Sequence, residues 1–169
     1  MDQVRRSVVY ADHRQFYIQD IDGQRAAEAD DDYDWPEAWS EEAVLVHRIG
    51  SDGPSSIAIG TARSGYVETT VQVHSDGEPP LVEADHIVEA DLAVPSGVIH
   101  VFGCMETPSH DHLVEIPPGR YRIRVSHVPS APPVPVNDAE NGPYFCYQLD
   151  LWPCEDMTGV TVLRHGHGW

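Results

Sequence analysis

Residues 114–128 constrain the fold of this chain more than any other stretch. After a Pro-Pro-Gly corner the sequence alternates strictly between apolar residues and arginines. The apolar positions are Tyr121, Ile123 and Val125, and the intervening positions are Arg120, Arg122 and Arg124. Successive side chains of a strand point to opposite faces of a sheet. The alternation therefore predicts a half-buried antiparallel strand with its apolar residues toward a core and its arginines outward.

Short strand-like runs separated by Gly, Pro, Asp and Ser clusters continue over most of the chain. Such clusters punctuate strands rather than helices. Further strands are predicted over 4–10, 15–21, 43–49, 56–62, 66–74, 85–94, 98–104, 144–152 and 159–164. No helical crossovers separate these runs, which favours antiparallel pairing. The pattern predicts a single all-β domain over 1–169, an antiparallel β-sandwich or jelly roll.

Residues 20–42 interrupt this pattern because they are strongly acidic. Ten acids stand against one base, Arg25. Like charges at this density repel, so we expect most of this acidic loop to be exposed. The acids are Asp20, Asp22, Glu28, Asp30, Asp31, Asp32, Asp34, Glu37, Glu41 and Glu42.

One local signal inside the acidic loop predicts a short helix. Asp34 is expected to cap it, with Trp35 and Pro36 in the first turn and Glu37 near the positive end of the helix dipole. Trp39 lies four residues after Trp35, on the same face of such a helix. At least one of the two indoles is expected to hold the loop on the body.

Charge also limits the classes of partner. The chain has 28 acidic and 10 basic residues, a net charge of −18, and every basic residue is Arg. Such a surface repels nucleic acid and anionic lipid, and it attracts a basic partner. No apolar run approaches the ~20 residues of a membrane helix, and no secretory signal follows Arg5 and Arg6. We therefore expect a cytoplasmic protein that binds neither nucleic acid nor membrane; the pattern leaves its oligomeric state open.

Two further segments are predicted to be irregular. Residues 129–143 form a Pro-rich loop that is semi-rigid and exposed. Residues 165–169 form a flexible Gly-rich tail.

Three cysteines without a C-x-x-C spacing argue against both a disulfide framework and a zinc site. No cofactor is expected.

The most enzyme-like cluster of residues is His110, His112 and Glu115. On a strand, residues two apart share a face, so both imidazoles could ligate one metal ion. With Gly103 and Gly119 these residues follow the order of a cupin metal site, although the spacings after Glu115 and His112 are too short. The alternative is a solvated hairpin turn.

The arginine row Arg120, Arg122 and Arg124 has two interpretations. Planar guanidinium groups bind carboxylates or phosphates through paired hydrogen bonds, so the row is a possible ligand-binding surface. Alternatively, the arginines pair across strands with neighbouring acids, for example Asp150 and Glu115. In so acidic a chain the second interpretation is favoured.

Three blocks of sequence resemble the competence-associated DNA-entry nuclease inhibitors, the ComJ-type family of bacterial β-sandwich proteins. They are an opening strand with Tyr10, His13, Gln15 and Phe16; the Asp34-Trp35 step before a new strand; and a later block with Leu113, Glu115, Ile116, Pro117, Gly119 and Tyr121. The resemblance implies a β-sandwich that binds and blocks a nuclease or toxin.

Three hypotheses of function follow. The first is a non-catalytic acidic binding protein, an inhibitor or immunity-type partner of a nuclease or other basic protein. Its predicted interface consists of Asp30, Asp31, Asp32, Asp34 and Glu37, with Trp35 as an aromatic anchor. The second is a cupin-like metal-dependent enzyme built on His110, His112 and Glu115. The third is a sandwich domain whose acidity serves only solubility.

Overall fold

Two β-sheets and short helical turns make up the chain in a computed structural model that describes residues 2–35, 37–135 and 142–167. The N-terminal part contains β1 (Gln3–Ala11), a 3-10 turn (Asp12–Arg14), β2 (Gln15–Gln19), α1 (Ile21–Glu28), a π-helical turn (Ala43–His47), β3 (Ile49–Ser51), β4 (Ser56–Gly60) and β5 (Gly65–Val73). The remainder contains β6 (His86–Val94), β7 (Val98–Gly103), a 3-10 turn (His110–His112), β8 (Leu113–Glu115), β9 (Gly119–Pro129), β10 (Phe145–Pro153) and β11 (Thr161–Arg164).

The strands form a six-stranded sheet and a five-stranded sheet. The first has the order β1-β5-β10-β9-β6-β11, and the second has the order β3-β4-β2-β7-β8. Strand β1 belongs to the first sheet and β2 to the second, so the chain crosses between the layers at the 3-10 turn Asp12–Arg14. This two-sheet arrangement confirms the predicted all-β sandwich.

One strand pair departs from the antiparallel pattern. Strands β5 and β10 pair in parallel, from Glu68 beside Cys146 to Val73 beside Leu151. The other strand pairs in the described part of the chain are antiparallel. A parallel pair needs a long connection, which strands β6–β9 supply here instead of a helix.

The apolar core lies between the sheets and contains the residues that alternation placed there. In β10, the inward residues Phe145, Tyr147, Leu149 and Leu151 are all buried, as predicted. The ring of Tyr147 packs edge-on against Phe16 of β2, with 5.4 Å between ring centroids. Its hydroxyl accepts a hydrogen bond from the Ala62 amide at 3.2 Å. Tyr147 therefore ties the two layers together.

Residues 43–49 were predicted as a strand, and this prediction is wrong. Residues Ala43–His47 form the π-helical turn, and the strand begins only at Ile49. The turn begins with the Ser40 hydroxyl accepting from the Ala43 amide at 3.1 Å, and it closes with the Arg48 amide donating to the Ala43 carbonyl. Arg48 ends the turn in the left-handed conformation, with φ of 59°. Apolar residues alone do not separate a short strand from a short helical turn.

The predicted Pro-rich loop and the predicted C-terminal tail lie only partly within the described residues. Residues 136–141 of the predicted Pro-rich loop and residues 168–169 of the predicted tail lie outside the described residues. Residues 165–167 do not hang free as a tail. Gly166 is buried, its amide donates to His86 Nδ1 at 3.1 Å, and its carbonyl accepts from Arg48 at 3.2 Å.

No helix in the described part of the chain combines the length and apolarity that spanning a bilayer requires.

Candidate functional site

The acidic segment, defined as residues 28–42, is the first candidate site. Asp30, Asp31, Asp32, Asp34 and Glu37 are all exposed. Asp30 accepts a hydrogen bond from the Asp32 amide at 3.0 Å, which shapes a tight turn. Among the described residues, none of these five carboxylates makes an ion pair. The predicted interface residues are therefore brought together on one loop with their charges facing water.

The helix in this region is not where the sequence predicted it. Residues 34, 35 and 37 are not helical, and Pro36 lies outside the described residues. The helix is α1 (Ile21–Glu28), which precedes the acidic segment. Its cap is Asp20, whose carboxylate accepts from the Gly23 amide at 2.9 Å.

Asp20 has a second role that explains this choice of cap. Its carboxylate also accepts from the amide and the hydroxyl of Ser96, both at 2.8 Å. Asp20 is completely buried, so this acid does not belong to the solvated loop. Three hydrogen bonds hold the carboxylate, one from α1 and two from the turn between β6 and β7, and no local sequence pattern signals the distant Ser96.

Two aromatic residues rise from the acidic segment. Tyr33 and Trp35 pack edge to face with 4.8 Å between ring centroids, and Trp35 remains 42% exposed. The inner edge of the Trp35 ring lies against Gly53, where an added Cβ would sit 3.1 Å from the indole. Gly53 also has φ of 119°, a conformation that favours glycine. One edge of the Trp35 ring is thus held in place by packing, while a face of the ring remains accessible to solvent.

Trp39 fastens the end of the acidic segment to the sheet. Its indole Nε1 donates to Gln15 Oε1 of β2 at 3.0 Å. The expectation that at least one indole holds the loop on the body is confirmed by this contact. The two tryptophans therefore have different roles, since Trp39 anchors the segment and Trp35 presents its ring to solvent.

A cleft of about 270 Å³ lies at the foot of the segment. Its walls include Tyr33, Ile49, Ile57, Met157 and Val160. Asp52 lies between Ser51 and Gly53 of the cleft wall, and burial and then the negative charge of Glu28 raise its pKa. The cleft is apolar, and unpaired carboxylates lie beside it. This combination suits an apolar side chain of a partner that has a cationic residue next to it.

The predicted row of arginines faces away from the core, but the expectation of an exposed row is wrong for two of its three members. Arg120 is exposed, whereas Arg122 and Arg124 are buried. Both pair with Glu89 of β6: Arg124 Nε lies 2.9 Å from Glu89 Oε1, and Arg122 Nε lies 3.3 Å from Oε2. The favoured interpretation, pairing with acids, is correct in kind, although the partners differ from Asp150 and Glu115.

Further contacts complete this buried ion network, defined as Arg122, Arg124, Glu89 and Asp91, and connect it to the exposed Glu78. Arg122 contacts Asp91 at 2.8 Å, and Arg124 contacts Glu78 at 2.5 Å. The guanidinium of Arg124 also lies over the Trp152 ring, 5.0 Å from its centroid. Loops and the edge strand β11 cover the outward face, because Arg122 also bonds Gly159 and Thr161. Arg122 and Arg124 are thus structural.

The predicted metal site is not formed as the sequence suggested. His110 and His112 lie on a 3-10 turn rather than on a strand, so they do not share a strand face, and Glu115 ends β8. Across residues 2–35, 37–135 and 142–167, no three His, Cys, Asp or Glu side chains converge in a way that could hold a metal ion.

The sequence did not predict the hydrogen bonds that hold the π-helical turn in place. His86 is fully buried; its Nε2 lies 2.9 Å from the His47 carbonyl, and its Nδ1 accepts from the Gly166 amide. A neutral ring with the proton on Nε2 satisfies both contacts. Burial lowers the pKa of His86 to about 4, and the nearby Arg48 charge acts in the same direction. The sequence signal for the turn was Ser40 followed by two glutamates, a helix-start pattern.

The comparisons with known proteins rest on structure alone. No protein-family model matches this chain, and no curated protein matches it in sequence. Among solved structures, the fold is similar to that of ComJ from Bacillus subtilis, an inhibitor of the DNA degrading activity of NucA. The TM-score is 0.63 with 15% identity, over 91% of this chain and 99% of ComJ.

A second solved structure has the same architecture. It is the product described as crocagin biosynthetic gene J, with a TM-score of 0.58 and 19% identity. The match covers 90% of this chain and 98% of that protein. The resemblance to ComJ-type proteins that the sequence blocks suggested is therefore confirmed at the level of the fold, from one end of the sandwich to the other.

Proposed function

We propose that this chain is a non-catalytic acidic binding protein of the cytoplasm that inhibits a nuclease. The observation that carries the proposal is the likeness of its fold to ComJ over 91% of the chain. ComJ inhibits a nuclease, and its whole length is matched rather than a shared submotif. Fold alone does not determine function, so an inhibitor also needs a surface that suits its partner.

The acidic segment supplies that surface by electrostatics. A nuclease cleft carries cations because it holds phosphates, and carboxylates can occupy it in place of DNA. The exposed carboxylates of residues 30–37 have no ion pair within the described chain, so they are available to a partner. The net charge of −18 adds long-range attraction that speeds the encounter.

Trp35 and the neighbouring cleft supply contacts that charge alone does not. Exposed aromatic residues at the centre of an interface contribute much of its binding energy. Trp35 already rests on Gly53 and Tyr33, so little freedom is lost when a partner covers its outer face. We propose that Trp35 is the anchor and that Asp30, Asp31, Asp32, Asp34 and Glu37 orient the partner.

A cleavage assay tests the proposal directly. Purified protein is titrated into plasmid DNA digestion by NucA and by the basic DNases of the source organism. We expect stoichiometric inhibition of at least one enzyme, with an association rate that falls as salt rises. Unaltered cleavage by all of them at a large molar excess contradicts the proposal.

A matched pair of variants locates the surface. One variant carries Asp30→Asn, Asp31→Asn, Asp32→Asn and Asp34→Asn. The control removes the same number of charges at exposed sites elsewhere: Glu68→Gln, Asp76→Asn, Asp111→Asn and Glu155→Gln. Loss of steering at the interface should slow association of the first variant by about 10-fold or more. Equal slowing of both variants would mean that only total charge matters.

A further inference from the structure

The π-helical turn exposes three consecutive aliphatic side chains. Val44 is 44% exposed, Leu45 is 59% exposed and Val46 is 39% exposed. Single exposed apolar residues are ordinary on protein surfaces, whereas contiguous ones mark contact sites. Two further features distinguish this turn. Its π-helical geometry is rare and concentrates at functional sites. It also directly follows the acidic segment.

A cavity continues the apolar surface. It has a volume of about 330 Å³, and its lining includes Val44, Trp39, Gln15 and Gly60, together with His13 and Arg14. The hydrogen bond from Trp39 to Gln15 fixes the indole wall in place. The backbone of His13 and Arg14 is left-handed, with φ of 54° and 56°, a strained conformation for residues other than glycine. The cavity is thus preformed by anchored groups.

The turn is held rigidly from parts of the chain far away in sequence. The His86 ring contacts the His47 carbonyl at 2.9 Å, and His165 Nε2 contacts the Leu45 carbonyl at 3.2 Å. Arg48, buried at the end of the turn, donates to the carbonyls of Gly166 and His167. A surface fixed before binding loses little conformational entropy when a partner covers it.

Charge selects what covers this surface. The acidic segment leads directly into the turn and contains eight acids and no Arg or Lys. A second copy of the chain would bring one acidic segment against another, and each copy has a net charge of −18. A basic protein instead gains attraction to the segment and burial of the aliphatic side chains in the same encounter.

We infer that Val44, Leu45 and Val46 are the apolar centre of an interface with a basic protein, one of whose apolar side chains enters the cavity between Val44 and Trp39. This inference rests on the proposed function, because it takes the partner to be the basic protein that the acidic segment attracts. It adds a second contact region next to Trp35 and the carboxylates.

Single substitutions at Leu45 test the inference. Leu45→Ser removes the most exposed aliphatic side chain, and Leu45→Met retains an apolar one. Leu81→Ser is the matched control, since Leu81 is 55% exposed on the loop between β5 and β6. Against a nuclease that the wild-type chain inhibits, Leu45→Ser should weaken inhibition at least 10-fold, whereas the other two variants should stay within about 2-fold of wild type.

Two results would overturn the inference while leaving the proposed function intact. One is inhibition by Leu45→Ser as strong as that by the wild-type chain. The other is equal weakening by Leu45→Ser and Leu81→Ser, which would point to a general loss of apolar surface. Far-ultraviolet circular dichroism of each variant verifies that the fold is retained.

If the wild-type chain inhibits no nuclease, the proposed function fails and a second measurement decides this inference. The full chain is made with a photo-crosslinking phenylalanine at position 45 or at position 81 and irradiated in cells of the source organism. A crosslinked protein is identified by mass spectrometry, purified and titrated against the wild-type chain and Leu45→Ser. A basic protein that crosslinks only from position 45 and binds Leu45→Ser at least 10-fold more weakly supports the inference. Absence of such a protein overturns it.

Discussion

The buried ion network and the acidic segment both contain carboxylates, but these carboxylates have opposite roles in the two regions. In the network, Glu89 is buried and contacts Arg122 and Arg124 within 3.3 Å. In the acidic segment, residues such as Asp31 and Asp34 are exposed and make no ion pair with a described residue. Position in the fold, and not residue type, decides whether a carboxylate stabilises this protein or remains available to another molecule.

The difference follows from the cost of removing charge from water. A buried ion pair is retained only when its geometry offsets the loss of hydration, and breaking it leaves an uncompensated charge. Exposed carboxylates lose no hydration on folding, and their mutual repulsion is screened by salt. The two regions should therefore separate cleanly when stability and binding are measured on the same variants.

The largest effect is expected at Glu89. Glu89→Gln keeps the shape of the side chain but leaves Arg122 and Arg124 without its charge, so the free energy of unfolding should fall by roughly 3–5 kcal/mol. Urea unfolding monitored by tryptophan fluorescence measures the change. Asp31→Asn is the control from the acidic segment and should stay within about 0.5 kcal/mol of wild type. Equal losses in the two variants would erase the distinction between the regions.

Acid should weaken the fold through the buried side chain of His86. The pKa of His86 is lowered to about 4 in the fold, from 6.5. The unfolded chain therefore takes up the proton first, and the stability that His86 confers is present above pH 6.5 and lost as pH falls toward 4. At 1.36 kcal/mol per pKa unit, the full loss is on the order of 3 kcal/mol.

Unfolding free energies measured from pH 7 to pH 4 test this prediction. His86→Gln should flatten the dependence over this window, although it lowers stability at pH 7. His127 remains in that variant, and burial lowers its pKa as well, so part of the slope persists. A wild-type profile that is flat between pH 6.5 and 4 would contradict the prediction.

A smaller effect is expected where the acidic segment is attached. Trp39→Phe removes the hydrogen bond to Gln15 but keeps most of the ring. The free energy of unfolding should fall by about 1 kcal/mol, and protease cleavage within residues 28–42 should become faster. Trp35→Phe is the matched control, because Trp35 makes no hydrogen bond that the structure describes; it should leave the cleavage rate unchanged.

The smallest effect on stability belongs to the carboxylates themselves. Changing Asp30, Asp31, Asp32 and Asp34 together to Asn should alter the free energy of unfolding by no more than about 0.5 kcal/mol. Because like-charge repulsion is relieved, the change should be a small gain in the free energy of unfolding. Thermal unfolding at low and high salt measures it, and a large destabilisation would show that the segment serves the fold.

Alternation predicted the strands because it depends on one physical requirement, an apolar face toward a core. The inward residues of β10 and β9, such as Leu149 and Ile123, followed that rule. The same rule could not distinguish an outward arginine in water from one covered by a loop, so Arg122 and Arg124 were misplaced. Their partners come from β6 and from the loop before it, more than thirty residues away along the chain.

Local chemistry predicted the acidic segment but not its neighbours. Charge density alone predicted that the carboxylates of Asp30, Asp31, Asp32, Asp34 and Glu37 are exposed, since no core accepts so many unpaired carboxylates. The helix was misplaced because Asp20 and Asp34 are both acceptable caps, and only the bonds from Ser96 select Asp20. The hydrogen bonds that hold the π-helical turn depend on His86 and Gly166, which no local pattern connects to residues 43–47.

The parallel pairing of β5 with β10 has a consequence for synthesis on the ribosome. The antiparallel pair β1–β5 is synthesised early, but the inner edge of β5 remains unpaired until β10, which begins only at Phe145, has been made. Until then an unfilled strand edge faces the cell, which invites mispairing with other nascent chains. Completion of the six-stranded sheet is therefore a late, long-range event, and folding should be slow and sensitive to chaperone supply.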